Sequence, residues 1–126
     1  MNDQHTTLAE VRELVREFVE ARDWRQFHTP KNLSMSLAIE AAELMEHFQW
    51  LTPEQSRAVA DQPEKLAEVG EELADVLCYA LALANELKLD VATALRDKML
   101  KNARKYPAEE YRGRYGPEDG KASGGR

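Results

Sequence analysis

A single cysteine, Cys78, rules out an intramolecular disulfide. It lies in the run Val76-Leu77-Cys78-Tyr79 and reads as a small hydrophobe packed in a core. Strand signals are nearly missing: β-branched residues are scattered, and no stretch alternates apolar with polar for long. No apolar run approaches the ~20 residues that a bilayer-spanning helix needs, and no signal-peptide pattern opens the sequence. The expectation is a protein without membrane attachment and with a cytoplasmic location. Positive charge is in the minority, with 17 Lys and Arg against 23 Asp and Glu and a net charge of −6. That balance argues against binding polymeric nucleic acid or an anionic membrane. It leaves a small anionic substrate open, because divalent ions between acid and phosphate reverse the local charge logic. Three scattered histidines and one cysteine supply no zinc cluster. The Glu-x-x-His motif of di-iron bundles is absent, since His47 follows Glu43 by four residues. No Gly-rich phosphate loop of the Walker kind occurs.

What remains is helix. The 126 residues are 43% hydrophobic and 32% charged, which suits one globular domain. The helical period appears four times. The first helix is expected over 7–22, with Thr7 and Glu10 spaced as a capping box and Leu8, Val11, Leu14, Val15, Phe18 and Val19 as its apolar stripe. A loop over 23–32 follows. The second helix is expected over 34–50, facing the core with Leu37, Ala41, Leu44, Met45 and Phe48. Thr52 and Pro53 then open a short helical turn over 53–60. The third helix, 63–87, is the longest, with Leu66, Val69, Leu73, Val76, Leu77, Ala80, Leu81 and Ala84 inward. Gly70 inside it costs up to ~1 kcal/mol relative to alanine, a cost that a close helix crossing would explain. The fourth helix, 90–106, is capped by Asp90, turns Val91, Leu95, Met99 and Ala103 to the core and is stopped by Pro107. Residues 1–111 are expected to form the domain. Residues 112–126, rich in glycine, are expected to be a flexible tail.

Four acids sit where apolar stripes begin. Glu40 and Glu43 are three apart on the second helix, and Glu72 and Asp75 are three apart on the third. Each pair therefore lies on one helical face. If the two helices pack antiparallel, both pairs meet near the seam. Carboxylates crowded in this way repel and lose hydration unless some hold protons or a cation neutralises them. An all-oxygen donor set selects hard ions such as Mg²⁺ or Mn²⁺, and magnesium commonly bridges carboxylates to substrate phosphates. Other groups align with the acids. Trp50 is seven after Glu43, and Tyr79 is four after Asp75. Lys98, Asn102 and Lys105 make a cationic and amide stripe on the fourth helix that suits outer phosphates. Trp24, Phe27 and His28 place aromatic rings in a loop, where they can stack on a base. A non-catalytic helical binding module and a purely structural oligomer remain alternatives on these residues alone.

The stretch Arg22-Asp23-Trp24, then Gln26-Phe27-His28, Pro30 and Asn32-Leu33, resembles the opening of the dCTP pyrophosphatase-like branch of the MazG-like family. S-L-A-I-E-A-A-E-L-M-E-H-F-Q-W is similar to the first acidic helix of that family, E-E-L-A-D-V-L-C-Y to the second, and K-M-L-K-N-A-R-K-Y-P to its closing helix. The resemblance covers most of residues 8–107 and leaves out the tail. It implies an all-α four-helix bundle completed by oligomerisation, as a dimer or tetramer. The implied activity is cleavage of a nucleoside triphosphate, with dCTP or a modified dCTP favoured, to the monophosphate and pyrophosphate, in nucleotide-pool house-cleaning. A substrate with another base, such as dUTP, is the alternative within that activity. By matching positions, Glu40, Glu43, Glu72 and Asp75 would hold Mg²⁺ and carry catalysis. Lys98 and Asn102 would contact phosphate or sugar, and Trp24, His28, Trp50 and Tyr79 would bind the base. At position 15, where vertebrate-type relatives carry a base-pocket histidine, this chain has Val15.

Overall fold

A computed structural model describes residues 1–114. The chain divides into two compact units, Met1–Leu89 and Asp90–Arg126, and every regular element among the described residues is helical.

In the first unit, α1 spans Leu8–Ala21. The Thr7 hydroxyl accepts from the Glu10 N–H at 3.2 Å, and the Glu10 carboxylate accepts from the Thr7 N–H at 2.7 Å, which completes the expected capping box. The chain reverses at Asp23, whose φ of 52° lies in the left-handed region. A single 3-10 turn, Trp24–Gln26, follows.

Helix α2 spans Pro30–Glu46, four residues earlier at each end than the spacing predicts. The reason is local. The Thr29 hydroxyl caps the Asn32 N–H at 3.2 Å, and Pro30 takes the first-turn position where its missing N–H costs nothing. Replacing Thr29 with alanine is expected to cost about 1 kcal/mol, read as a lower midpoint in urea unfolding.

The short α3, Pro53–Ala58, opens on the Thr52–Gln55 capping box and runs into a 3-10 turn, Val59–Asp61. Helix α4, Pro63–Leu87, has the expected bounds. It closes on Lys88 in the left-handed region, at φ 55°.

Packing in this unit centres on α4, against α2 most extensively and α1 next. His47, at the end of α2, accepts from Lys65 Nζ near the start of α4 at 2.9 Å. Glu40, two turns earlier on α2, meets Glu72 further along α4, so the two helices run antiparallel. Leu33 at 1% exposure and Leu81 at 2% are the best-buried side chains. Val15, Val59, Ala82 and Ala84 join them in a small core. Arg12 ties α1 to the end of α4, donating from Nε to Asn85 Oδ1 at 3.0 Å and from a terminal nitrogen to the Leu89 carbonyl at 2.6 Å.

Much of the expected core is exposed. Leu14, Phe18, Met45, Leu66, Leu73, Leu77, Leu95 and Met99 all stand open to solvent, although the helical period turns them inward. Periodicity identifies an apolar face but not what covers it. Gly70 also departs from expectation, since a Cβ there would meet nothing within 4 Å.

In the second unit, α5 spans Val91–Lys105, with Asp90 Oδ1 capping the Thr93 N–H at 2.8 Å as expected. The short α6, Ala108–Tyr111, follows Pro107, and the Tyr106 and Tyr111 rings meet edge to face at 5.2 Å. Beyond residue 114, the expected flexible tail lies outside the described residues.

Candidate metal centre and adjoining cavity

The acidic spacing converts into convergence. Glu40 and Glu43 on α2 and Glu72 on α4 each offer a carboxylate oxygen, and these oxygens lie within 4.8 Å of one another. Glu40 Oε2 and Glu72 Oε2 are buried without a hydrogen-bond partner. Burial pushes the Glu40 carboxyl up to about 7, reinforced by its hydrogen bond with Glu43 and by the charges of Glu43, Asp75 and Glu72. Glu72 is also raised, first by burial and then by the charge of Glu43, while a hydrogen bond with Glu40 works in the opposite direction. Such a cluster either shares protons or takes a cation. Three hard oxygen donors, two of them with unsatisfied buried atoms, fit a small divalent ion.

Asp75 stands beside this trio rather than within it. Its negative charge raises Glu40 and Glu72, and it lines a neighbouring cavity of about 660 Å³. Trp24, His28 and Tyr79 line the same cavity. The His28 ring lies between the other two, with centroids 6.2 Å from Trp24 and 6.4 Å from Tyr79. Its Nδ1 is buried without a partner. Trp24 packs edge-on against Phe18 at 5.6 Å, and the Arg22 guanidinium lies 3.7 Å over the Phe18 ring. The Tyr79 hydroxyl is held above its ordinary value by burial and then by the charge of Glu40, which sets it beside the acids.

One expected neighbour is not part of this group. Trp50 sits past the end of α2, 86% exposed, and is not among the cavity-lining residues. Lys98 and Asn102 lie about one turn apart on α5 in the second unit. Cys78 is half-buried rather than enclosed, and it lines the cavity; burial raises its thiol first and Asp75 second. The sequence reading misses one wall altogether. Val11, Leu14, Val15, Phe18 and Val19, read as a core stripe, face the cavity from α1.

The model of the MazG-like family matches residues 35–115, a stretch that contains all four acids. This chain belongs to the MazG-like family. Its relatives include dCTP pyrophosphatase 1 of Bos taurus, 43% identical over 107 residues, covering 85% of this chain and 63% of that protein. The Homo sapiens dCTP pyrophosphatase 1 is 44% identical over 102 residues, covering 81% of this chain and 60% of that protein. This MazG-like chain thus spans less than two thirds of the length of the curated relatives it matches. Among solved structures, a pyrophosphatase from Archaeoglobus fulgidus is 41% identical with a TM-score of 0.74, covering 85% of this chain and 98% of that one.

Proposed function

We propose that this MazG-like chain is a magnesium-dependent nucleoside triphosphate pyrophosphohydrolase, with dCTP or a modified dCTP among its substrates and a role in clearing unwanted nucleotides. The observation that carries the reading is the meeting of Glu40, Glu43 and Glu72 from two helices, with two buried oxygens lacking partners, beside an aromatic-lined cavity. The names of the relatives support the choice of substrate.

In this reading Glu40, Glu43, Glu72 and Asp75 hold Mg²⁺, with Mn²⁺ as a substitute. When bound, the ion neutralises phosphate charge and makes water more acidic. The reaction adds water to the α phosphorus and breaks the α–β anhydride bond, giving the nucleoside monophosphate and pyrophosphate. The carboxylates align the triphosphate and supply a base for the water proton. Trp24, His28 and Tyr79 hold the base in the cavity. Lys98 and Asn102 on α5 contact phosphate or sugar. The catalytic domain is residues 1–111, acting in the cytoplasm as a homo-oligomer, either dimer or tetramer. The exposed Leu66 and Leu73, which do not line the cavity, support that assembly.

Product identity tests the reading. Incubation with triphosphates and Mg²⁺ is expected to yield monophosphate and pyrophosphate in equal amounts. A diphosphate plus orthophosphate would refute the bond assignment, and no product from any nucleotide would refute the enzyme.

A further inference from the structure

Helix α4 carries its functional groups in a fixed order. Tyr79 and Cys78 line the cavity. Asp75 and Glu72 follow toward the start of the helix, and Glu40 and Glu43 of α2 meet Glu72. Beyond the acids the α2–α4 seam carries a further group: Lys65 and Glu68 of α4 with His47 at the end of α2. Lys65 is seven before Glu72, Glu68 is four before it, and His47 is four after Glu43. Those intervals keep each residue on the same helical face as the acid it is counted from. Lys65 thus stands two turns from Glu72, about 10 Å along the axis, on the far side of the acids from the cavity residues of α4.

The group is a held cation. Lys65 Nζ lies 2.9 Å from His47 Nδ1 in a part-buried contact. An ammonium has donors only, so Nδ1 is the acceptor and the ring proton of His47 sits on Nε2. The His47 side chain is 19% exposed and fixes the lysine. A cation in the first turn of α4 runs against the helix dipole, so the helix itself gains nothing from Lys65. Glu68 is a loose counter-charge: its Oε2 is 3.9 Å from both Lys65 Nζ and His47 Nδ1, and its side chain is 61% exposed. An ion pair so open to water contributes little. Glu64 borders the same open groove as Lys65 and Glu68.

A nucleoside triphosphate has a matching order: base, sugar, then the α, β and γ phosphates. With the base in the cavity and the α phosphorus at the acids, the β and γ phosphates run on toward Lys65. We propose that Lys65, anchored by His47, grips the outer phosphates of the triphosphate and the pyrophosphate that leaves. This rests on the pyrophosphohydrolase reading above and deepens it. Phosphate carries more charge than a carboxylate and offers more acceptor oxygens, so it displaces Glu68 from the ammonium.

Isothermal titration calorimetry with pyrophosphate and with dCMP, each in the presence of Mg²⁺, tests this grip. Lys65→Gln removes the charge. It is expected to weaken pyrophosphate binding about tenfold, the order of one charge-assisted hydrogen bond, and to leave dCMP unchanged. His47→Leu frees the lysine and is expected to weaken pyrophosphate about threefold, again without effect on dCMP. Glu68→Gln removes the competing carboxylate and is expected to tighten pyrophosphate about threefold. A merely structural role for Lys65 would weaken both ligands alike, so an equal loss overturns the inference. Unchanged pyrophosphate affinity in His47→Leu overturns the anchoring role. Should Lys65→Gln fail to fold, Glu68→Gln decides, and pyrophosphate affinity that stays level or falls there overturns the grip. Turnover of no nucleotide by the unaltered chain overturns the enzyme and this inference together. Turnover by the unaltered chain, with parental pyrophosphate affinity in Lys65→Gln, overturns this inference alone.

Discussion

Glu40→Gln is expected to lower kcat for pyrophosphate release by about 10²- to 10³-fold or more, with far-UV circular dichroism unchanged. The amide keeps the shape of the side chain and removes its charge. Glu40 is raised to about 7, by burial first and then by Glu43, Asp75 and Glu72. Neutralising it would weaken the hold on a dication and the charge balance that a bound ion would supply to the phosphates. The same change relieves like-charge repulsion along the α2–α4 seam. Above about pH 7, where Glu40 is ionised in the metal-free parent, the metal-free variant is therefore expected to melt above it, even as it loses activity. Turnover at the parental rate would remove Glu40 from the mechanism. A lower melting point together with lost activity would recast Glu40 as a packing residue.

Magnesium is expected to raise the melting temperature on the order of 10 °C when present at about a hundred times its dissociation constant. That concentration corresponds to about 2.7 kcal/mol of stabilisation. The effect depends on pH with a definite sign. The folded, metal-free chain holds a proton on Glu40 up to about 7, against an ordinary value of 4.5. Between those values the folded state binds a proton that the unfolded chain has released. Metal-free stability therefore falls as pH rises through that window. Ion binding requires the ionised carboxylate, so magnesium affinity runs the other way and is expected to be on the order of tenfold weaker at about pH 6 than at about pH 8. Differential scanning fluorimetry across a magnesium titration at both values checks this. A shift that is absent, or equal at the two pH values, would separate the acidic cluster from metal binding.

The sequence reveals the fold where its signals are local. The Thr7–Glu10 capping box and the Pro63–Leu87 bounds of α4 follow from adjacent residues, and the structure shows both. The start of α2 carries the same kind of signal, Thr29 before Pro30, but it lies within a stretch whose aromatic residues read as a loop. That shift affects the site. Spacing puts Trp50 two turns after Glu43 on one face, on the assumption that the helix continues to residue 50. The helix ends at Glu46, and Trp50 turns outward.

The acids are partly legible. A spacing of three gives a shared face, but helix rotation decides which oxygens converge, and it brings together Glu40, Glu43 and Glu72 with Asp75 alongside. The α1 wall of the cavity could not be read from periodicity, because an apolar stripe looks the same whether it meets a core or a hollow.

The antiparallel seam between α2 and α4 has two unlike ends. Around Leu33 and Leu81 it is closed by apolar contact. Around Glu40 and Glu72 the helices bring together groups that repel. Tightness at one end can hold discomfort at the other, as a hinge pin holds a spring under tension. The arrangement makes the mouth of the seam responsive to divalent cation supply while its root stays shut, so scarcity of the ion would slacken the working end without dismantling the scaffold.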